Sequence, residues 1–170
     1  LDRYVALVWE SGATPVIVPA GPETRFKITP AQLEAALTPR TRAIVLNSPS
    51  NPTGAVYTAD ELRALAEVLR PSRAFVIADE IYDAIVYGPY ARWLRVAPDL
   101  ADRTLVINGA SKAFAMTGWR LGYVAGPQDV IEALKAIQSH STTHTASISQ
   151  AAVLPAYDGS ADIGAEVARM

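Results

Sequence analysis

The stretch TLVINGASKAFAMTGWRLGYVAG, residues 104–126, decides how this chain folds and where its chemistry lies. It holds two short apolar runs, 104–108 and 121–126, with Lys112 and Arg120 between them. The chain uses twelve arginines and only three lysines, so a lysine kept directly after an apolar run indicates a need for an amine. The sequence therefore predicts a functional loop between two strands.

Three further apolar runs lie upstream, at residues 14–19, 43–47 and 74–79. All five runs are continuous rather than alternating, which is typical of strands covered on both faces. Together they predict the strands of a mostly parallel sheet.

Helical patterns separate several of these strands. Thr29 with Gln32 and Thr58 with Glu61 have capping-box spacing, and segment 127–138 repeats apolar residues at helical spacing. Alternating strands and helices predict an α/β fold, a three-layer α/β/α arrangement in one domain or part of one. In such sheets ligands bind beyond the carboxyl ends of the strands.

Composition excludes several classes of function. The chain is 50% hydrophobic with a net charge of −2, so it lacks the basic surface that binding nucleic acid requires. It has no cysteine, which excludes disulfides and thiolate metal sites, and no apolar run approaches the roughly 20 residues of a membrane helix. We therefore expect a cytoplasmic protein without a membrane or nucleic-acid partner.

Two strand-end loops carry polar candidates. Asn51 lies in the proline-stiffened loop NSPSNPTGAVY, where its amide can donate to an oxyanion, although the loop alone is equally typical of a plain connection. Asp79 ends an apolar strand, so we expect it to have a cationic partner. Tyr82 and Asp79 can reach one ligand only if the chain bends near Glu80. An N-cap or ion pair for Asp79 and core packing for Tyr82 are the structural alternatives.

The third loop carries Lys112 and Arg120. The apolar neighbours of Lys112 at 113–116 favour a desolvated amine, which can attack a carbonyl to form a Schiff base, whereas most lysines are simply exposed. Arg120 is either a plain surface arginine or a residue whose guanidinium binds a phosphate through two hydrogen bonds. Thr117 and Gly118 predict a turn that returns Arg120 toward the site.

Combined, these residue types predict a pyridoxal phosphate site. A lysine holds the aldehyde as an imine, an aspartate keeps the pyridine nitrogen protonated and an arginine grips the phosphate. Lys112 can then act as general base and acid, while Tyr82 and Asn51 donate to the phenolate oxygen of the ring. The candidate cofactor-binding residues are Asn51, Asp79, Tyr82, Ser111, Lys112 and Arg120.

The segments NSPSNPTGAVY, VIADEIYDAIVY and NGASKAFAMTGWRLGYVAGP, in this order, resemble the class I and II aminotransferases of pyridoxal phosphate fold type I, especially bacterial aspartate-type enzymes. The resemblance implies that Lys112 forms the imine, that Asp79 pairs with the pyridine nitrogen and that Arg120 binds phosphate. It also implies that Tyr82 and Asn51 donate hydrogen bonds to the phenolate oxygen of the cofactor ring. Many relatives carry a serine three residues before the lysine, where this chain has Gly109, and Ser111 is a candidate substitute.

The resemblance also implies amino transfer between an amino acid and a 2-oxo acid in a homodimer, with an aspartate-type preference. The alternatives are a lyase on the same scaffold or an aminotransferase-like effector domain of a transcription regulator. The resemblance implies that residues 1–170 form the central part of the large domain, without its amino-terminal segment or the small domain. The start without methionine and the end GAEVARM, which reads as mid-helix, also lead us to expect a fragment. We expect such a fragment alone to be inactive.

His140 and His144 have the i, i+4 spacing of a metal pair if both lie on one helix. No acidic third ligand accompanies them. A polar loop near a subunit interface is the preferred interpretation, and no metal is predicted.

Overall fold

The computed structural model, which describes residues 2–159, contains one four-stranded sheet in the order β1-β2-β3-β4. The strands are β1 (Ala43–Asn47), β2 (Phe75–Asp79), β3 (Thr104–Gly109) and β4 (Gly122–Ala125). Strands β1, β2 and β3 run parallel, and β4 pairs antiparallel with β3. The predicted mostly parallel sheet is confirmed.

Helices connect and flank these strands, which confirms the α/β class. The α-helices are α1 (Asp2–Glu10), α2 (Pro30–Ala36), α3 (Ala59–Leu69), α4 (Trp93–Val96), α5 (Ala110–Ala113), α6 (Gln128–Ser141) and α7 (Ser147–Tyr157). Short 3-10 turns lie at Pro22–Thr24, Pro98–Arg103 and Thr117–Trp119.

Both predicted capping boxes form. The Thr29 hydroxyl accepts from the Gln32 backbone N–H at 3.2 Å, and the Gln32 side chain accepts from the Thr29 N–H at 2.8 Å. Thr58 and Glu61 repeat this exchange at 3.2 and 2.8 Å. Each box satisfies two backbone donors that a helix start otherwise leaves unpaired.

The core lies between the sheet and the helices that precede and follow β2. Helix α3 contributes a buried stripe, and Val76 of β2 is also fully buried. Trp93 is buried as well, and its indole N–H donates to the Thr104 hydroxyl at 3.2 Å. The buried residues of α3 are Leu62, Leu65, Ala66 and Leu69.

Two of the predicted strands differ from expectation. The run 14–19 is not a strand: Val16 and Ile17 are 70% and 56% exposed, and no described strand pairs with them. Strand β4 forms, but all four of its residues are exposed, so the prediction of cover on both faces is wrong there. An apolar run becomes a covered strand only when a neighbouring strand and a packing layer are available. Within residues 2–159 the run 14–19 has no neighbouring strand, whereas β4 pairs with β3 but its residues stay exposed.

None of the helices between residues 2 and 159 combines the length and the apolar composition that crossing a bilayer requires. The carboxyl-terminal GAEVARM segment lies outside the described residues.

Candidate active site

The register of the sheet brings the strand-end loops to one edge. Asn47 pairs with Asp79 across β1 and β2, and Asp79 pairs with Ile107 across β2 and β3. Because β4 is antiparallel, its first residue, Gly122, pairs with Gly109 at the end of β3. The connections that leave β1, β2 and β3 and the one that enters β4 therefore meet at the same edge of the sheet.

Asp79 is buried at this edge, with 8% of its surface exposed. Its Oδ1 accepts from the Ile81 backbone N–H at 3.2 Å, and its Oδ2 accepts a short hydrogen bond from the Tyr4 hydroxyl. Burial and this bond to Asp79 raise the pKa of Tyr4. The expected cationic partner is absent among residues 2–159, where neutral donors satisfy the carboxylate instead.

The chain turns sharply after β2, which is the condition for Asp79 and Tyr82 to reach one ligand. The Glu80 N–H donates to Ile107 O at 2.9 Å, and the Asp83 N–H donates to Glu80 O at 2.9 Å, which closes a turn that carries Tyr82. This turn brings Tyr82 to the loop after β1, where Asn51 Nδ2 donates to the Tyr82 hydroxyl at 2.8 Å. Since the hydroxyl accepts this bond, its own proton is available for another acceptor.

Lys112 lies in α5, directly after β3, and is half-buried. Its Nζ lies 5.5 Å from the centroid of the Tyr82 ring, within the range of a cation–π contact. Within residues 2–159 it forms no ion pair, whereas Lys27 Nζ lies 2.5 Å from Glu61 and Lys135 Nζ lies 3.8 Å from Glu132. Lys112 is thus the lysine whose amine is not committed to a carboxylate.

Arg120 follows the 3-10 turn Thr117–Trp119, which confirms the turn predicted at Thr117 and Gly118. Its backbone is left-handed, with φ of 53°, and its guanidinium donates to Thr117 O at 2.9 Å. This conformation favours glycine, so an arginine retained there suggests that the side chain itself is needed. The guanidinium keeps further donors for an anion.

Gly109 explains why a serine does not occupy the position three residues before Lys112. A Cβ at Gly109 would lie 2.8 Å from the Cα of Gly122 and 2.8 Å from the carbonyl oxygen of Leu121. Both are backbone atoms at the start of the adjacent strand β4, so they cannot move aside by a change of side-chain rotamer. The glycine is therefore required by the close approach of β3 and β4. Ser111, the candidate substitute, lies half-buried in α5 beside Lys112.

The predicted residues fall into two groups. Tyr82 contacts both Asn51 and Lys112, and an open cleft of about 440 Å³ lies beside Asn51 and Tyr82. Asp79 begins the turn that carries Tyr82, while Arg120 lies at the same edge without a described contact to this group.

Sequence reasoning missed Tyr4. It is 75 residues from Asp79 in sequence, and no periodic pattern or motif marks the pair. The only available signal was the buried carboxylate itself, which required a donor of some kind.

The two histidines do not share a helix. His140 lies in the last turn of α6, and His144 lies in the segment between α6 and α7. The i, i+4 geometry that would place both on one helical face therefore does not form.

The arrangement suits a ligand with one cationic nitrogen, one carbonyl carbon and one phosphate.

The family described as aminotransferase class I and II matches residues 3–170. Among curated relatives, the aspartate aminotransferase of Geobacillus stearothermophilus is 48% identical over 158 residues, 92% of this chain and 40% of that protein. The aspartate/prephenate aminotransferase of Cereibacter sphaeroides is 51% identical over 159 residues, again 92% and 40%.

Solved structures give the same result. The aspartate aminotransferase of Rhizobium meliloti superposes with a TM-score of 0.93 at 42% identity, over 98% of this chain and 42% of that chain. The Thermus thermophilus aspartate aminotransferase with maleate gives 0.91 at 42% identity, over 98% and 43%. The chain thus spans about 40% of the length of the curated relatives it matches.

Proposed function

The chain belongs to the class I and II aminotransferases, which use pyridoxal 5'-phosphate, and from this premise we propose that the complete protein transfers an amino group between an amino acid and a 2-oxo acid. An aspartate-type substrate is proposed because the relatives named above are called aspartate or aspartate/prephenate aminotransferases. The contacts of Tyr82 with both Asn51 and Lys112, on the turn that follows the buried Asp79, are the observation that carries the proposal.

The donor set fits the cofactor. Asp79 is a buried carboxylate whose two oxygens have only neutral described partners, so it can pair with a protonated pyridine nitrogen. Lys112 supplies the amine, and Arg120 supplies guanidinium donors for a phosphate. Tyr82 retains a free hydroxyl proton for the ring oxygen, since Asn51 already donates to its oxygen atom. When bound, the cofactor serves as the electron sink for the substrate α carbon.

The residues of the protein have two roles, proton transfer and orientation of the cofactor. Lys112 Nζ holds and moves a proton at the substrate α carbon, because an amine free of carboxylate partners can alternate between base and acid. The half-buried position of Lys112 limits the access of water to that proton. The Asn51–Tyr82 pair would hold the ring oxygen of the cofactor, and Asp79 would hold its pyridine nitrogen.

We further propose that residues 1–170 form the central part of a larger cofactor-binding domain, because the relatives are more than twice as long. In this proposal a homodimer in the cytoplasm is the working form. Groups that bind the substrate carboxylates are assigned to the remainder of the protein.

Borohydride reduction of the complete protein with pyridoxal phosphate, followed by peptide mapping, tests the assignment. Label is expected on Lys112 and not on Lys27, which is buried against Glu61, or on the exposed Lys135. Lys112→Arg serves as the charge-matched control and should abolish the label, since a guanidinium forms no such bond. Label at Lys27 or Lys135 in the native protein would overturn the assignment.

A second assay separates amino transfer from elimination. Aspartate and, separately, an amino acid with a leaving group on its β carbon are supplied with and without a 2-oxo acid acceptor, and the 2-oxo product is measured. Sustained product only with the acceptor supports transamination, whereas equal product without it identifies a lyase.

A further inference from the structure

A charge network lies behind the turn that carries Tyr82 and joins two buried carboxylates to the half-exposed Arg92. Arg92 Nη1 lies 2.6 Å from Asp83 Oδ2 and 3.4 Å from Glu80 Oε2. The two carboxylates flank Tyr82 in sequence, and their side chains are only 6% and 8% exposed, for Glu80 and Asp83 respectively. One arginine thus neutralises two acids that are nearly removed from solvent.

The network continues to the strand that leads to Lys112. Asn108 Nδ2 donates to Asp83 Oδ2 at 2.9 Å, and Asn108 Oδ1 accepts from the Gly109 N–H at 2.7 Å. Lys112 follows three residues later, in α5. A continuous path of hydrogen bonds therefore joins Arg92, the turn after β2 and the end of β3.

Glu80 connects the same network to helix α4. Its Oε1 accepts from the buried Trp93 N–H at 2.9 Å, at the first position of that helix. Burial raises the pKa of Glu80, and the nearby Asp83 adds to this, while Trp93 and Arg92 oppose it. Without Arg92, two like charges would remain buried side by side, which proteins tolerate poorly.

From this geometry we propose that Arg92 is a positioning residue for the active site. It holds Glu80 and Asp83 together while Asn108 of β3 donates to Asp83, which keeps Tyr82 at Asn51 and its ring beside Lys112. Arg92 itself has no described contact with Asn51, Tyr82 or Lys112, so it acts only through Asp83 and Glu80. The inference rests on the proposed function, because it assigns Arg92 a role in that same site.

The test uses Arg92→Met and Arg92→Lys in the complete protein, with Arg70→Met as the matched control. Arg70 also joins two carboxylates, Glu67 and Asp99, but at the carboxyl end of α3, which leads to the start of β2 and not to its end. The cofactor dissociation constant, the pH midpoint of the absorption change of the bound cofactor and the thermal midpoint are measured for each variant.

Arg92→Met is expected to weaken cofactor binding on the order of tenfold, because two buried carboxylates lose their cation and the turn shifts. The pH midpoint should rise, since a displaced Tyr82 no longer stabilises the deprotonated form of the cofactor. Arg92→Lys should recover part of both losses, as it keeps the charge without the fork. Arg70→Met should lower only the thermal midpoint.

The proposal is overturned if Arg92→Met leaves affinity and pH midpoint unchanged, or if Arg70→Met changes them equally. Should Arg92→Met not fold, Arg92→Lys decides: an unshifted midpoint and native affinity refute the role. Borohydride labelling of the native protein keeps the two proposals separate. An unlabelled Lys112 defeats the proposed function, whereas a labelled Lys112 with unaffected Arg92 variants defeats only the role of Arg92.

Discussion

Replacing Gly109 by serine is expected to destabilise the protein. The new Cβ would lie 2.8 Å from both Gly122 Cα and Leu121 O, about 0.6 Å inside the 3.4 Å at which ordinary contact begins. Both atoms belong to the backbone next to β3, so β4 must move away. The hydrogen bond from Ala110 N to Leu121 O, now 3.2 Å, lies at the same junction and would lengthen.

Overpacking of this kind costs about 1–3 kcal/mol. Because each 1.4 kcal/mol is a factor of ten, the unfolding constant should rise roughly 5- to 150-fold. Urea unfolding of the complete apoprotein measures this for Gly109→Ala and Gly109→Ser. Gly118→Ala is the control, since a Cβ at Gly118 meets nothing within 4 Å and its φ is not left-handed.

The serine hydroxyl is also expected to give no gain in cofactor affinity, because β4 and the adjoining Arg120 shift with the strand. A Gly109→Ser protein as stable as the native one would refute the packing argument. Tighter cofactor binding by that variant would refute the claim that the glycine excludes a phosphate contact.

Three further outcomes are expected. Tyr4→Phe should lower apoprotein stability by about 1–3 kcal/mol, because the buried Asp79 Oδ2 loses its donor; equal urea midpoints for the two proteins would contradict this. Thr58→Ala should cost about 1 kcal/mol through loss of the α3 cap, with Thr58→Ser retaining most of the stability in the same titration. Although burial opposes it, hydrogen bonds from Lys27 and Thr58 lower the pKa of Glu61. The resulting stability is present above the unfolded value, about pH 4.3, and is lost as pH falls through the lowered folded value. Lys27→Met should therefore reduce the difference in urea midpoint between about pH 6 and pH 3, and an unchanged difference would argue against the pair.

Local patterns predicted the parts of the structure that depend on local physics. The capping boxes at Thr29 and Thr58 form because each needs only residues three positions apart. The strand-end positions of Asp79 and Lys112 follow from apolar runs that end there. The run 14–19 failed because strand formation needs a neighbour that the pattern itself does not specify.

Long-range contacts set the rest of the site. Among residues 2–159, the donor to Asp79 Oδ2 is Tyr4, from α1. The charge balance around Glu80 depends on Arg92, 12 residues away across an irregular connection. The need for glycine at 109 became visible only once Gly122 was placed opposite it. In each case, the decisive partner is distant in sequence and carries no periodic signal.

The parallel pairing of Asn47, Asp79 and Ile107 fixes the distances between the strand ends that carry the site. Adjacent strands lie about 4.8 Å apart, and a slip of one residue would displace a side chain by about 3.3 Å and turn it to the opposite face. The spacing between the Asp79 carboxylate, the Tyr82 phenol and the Lys112 amine therefore depends on the register of the backbone pairing. Helices on the far side of the sheet can vary in length without changing this spacing, provided that the register of the strand pairing is kept.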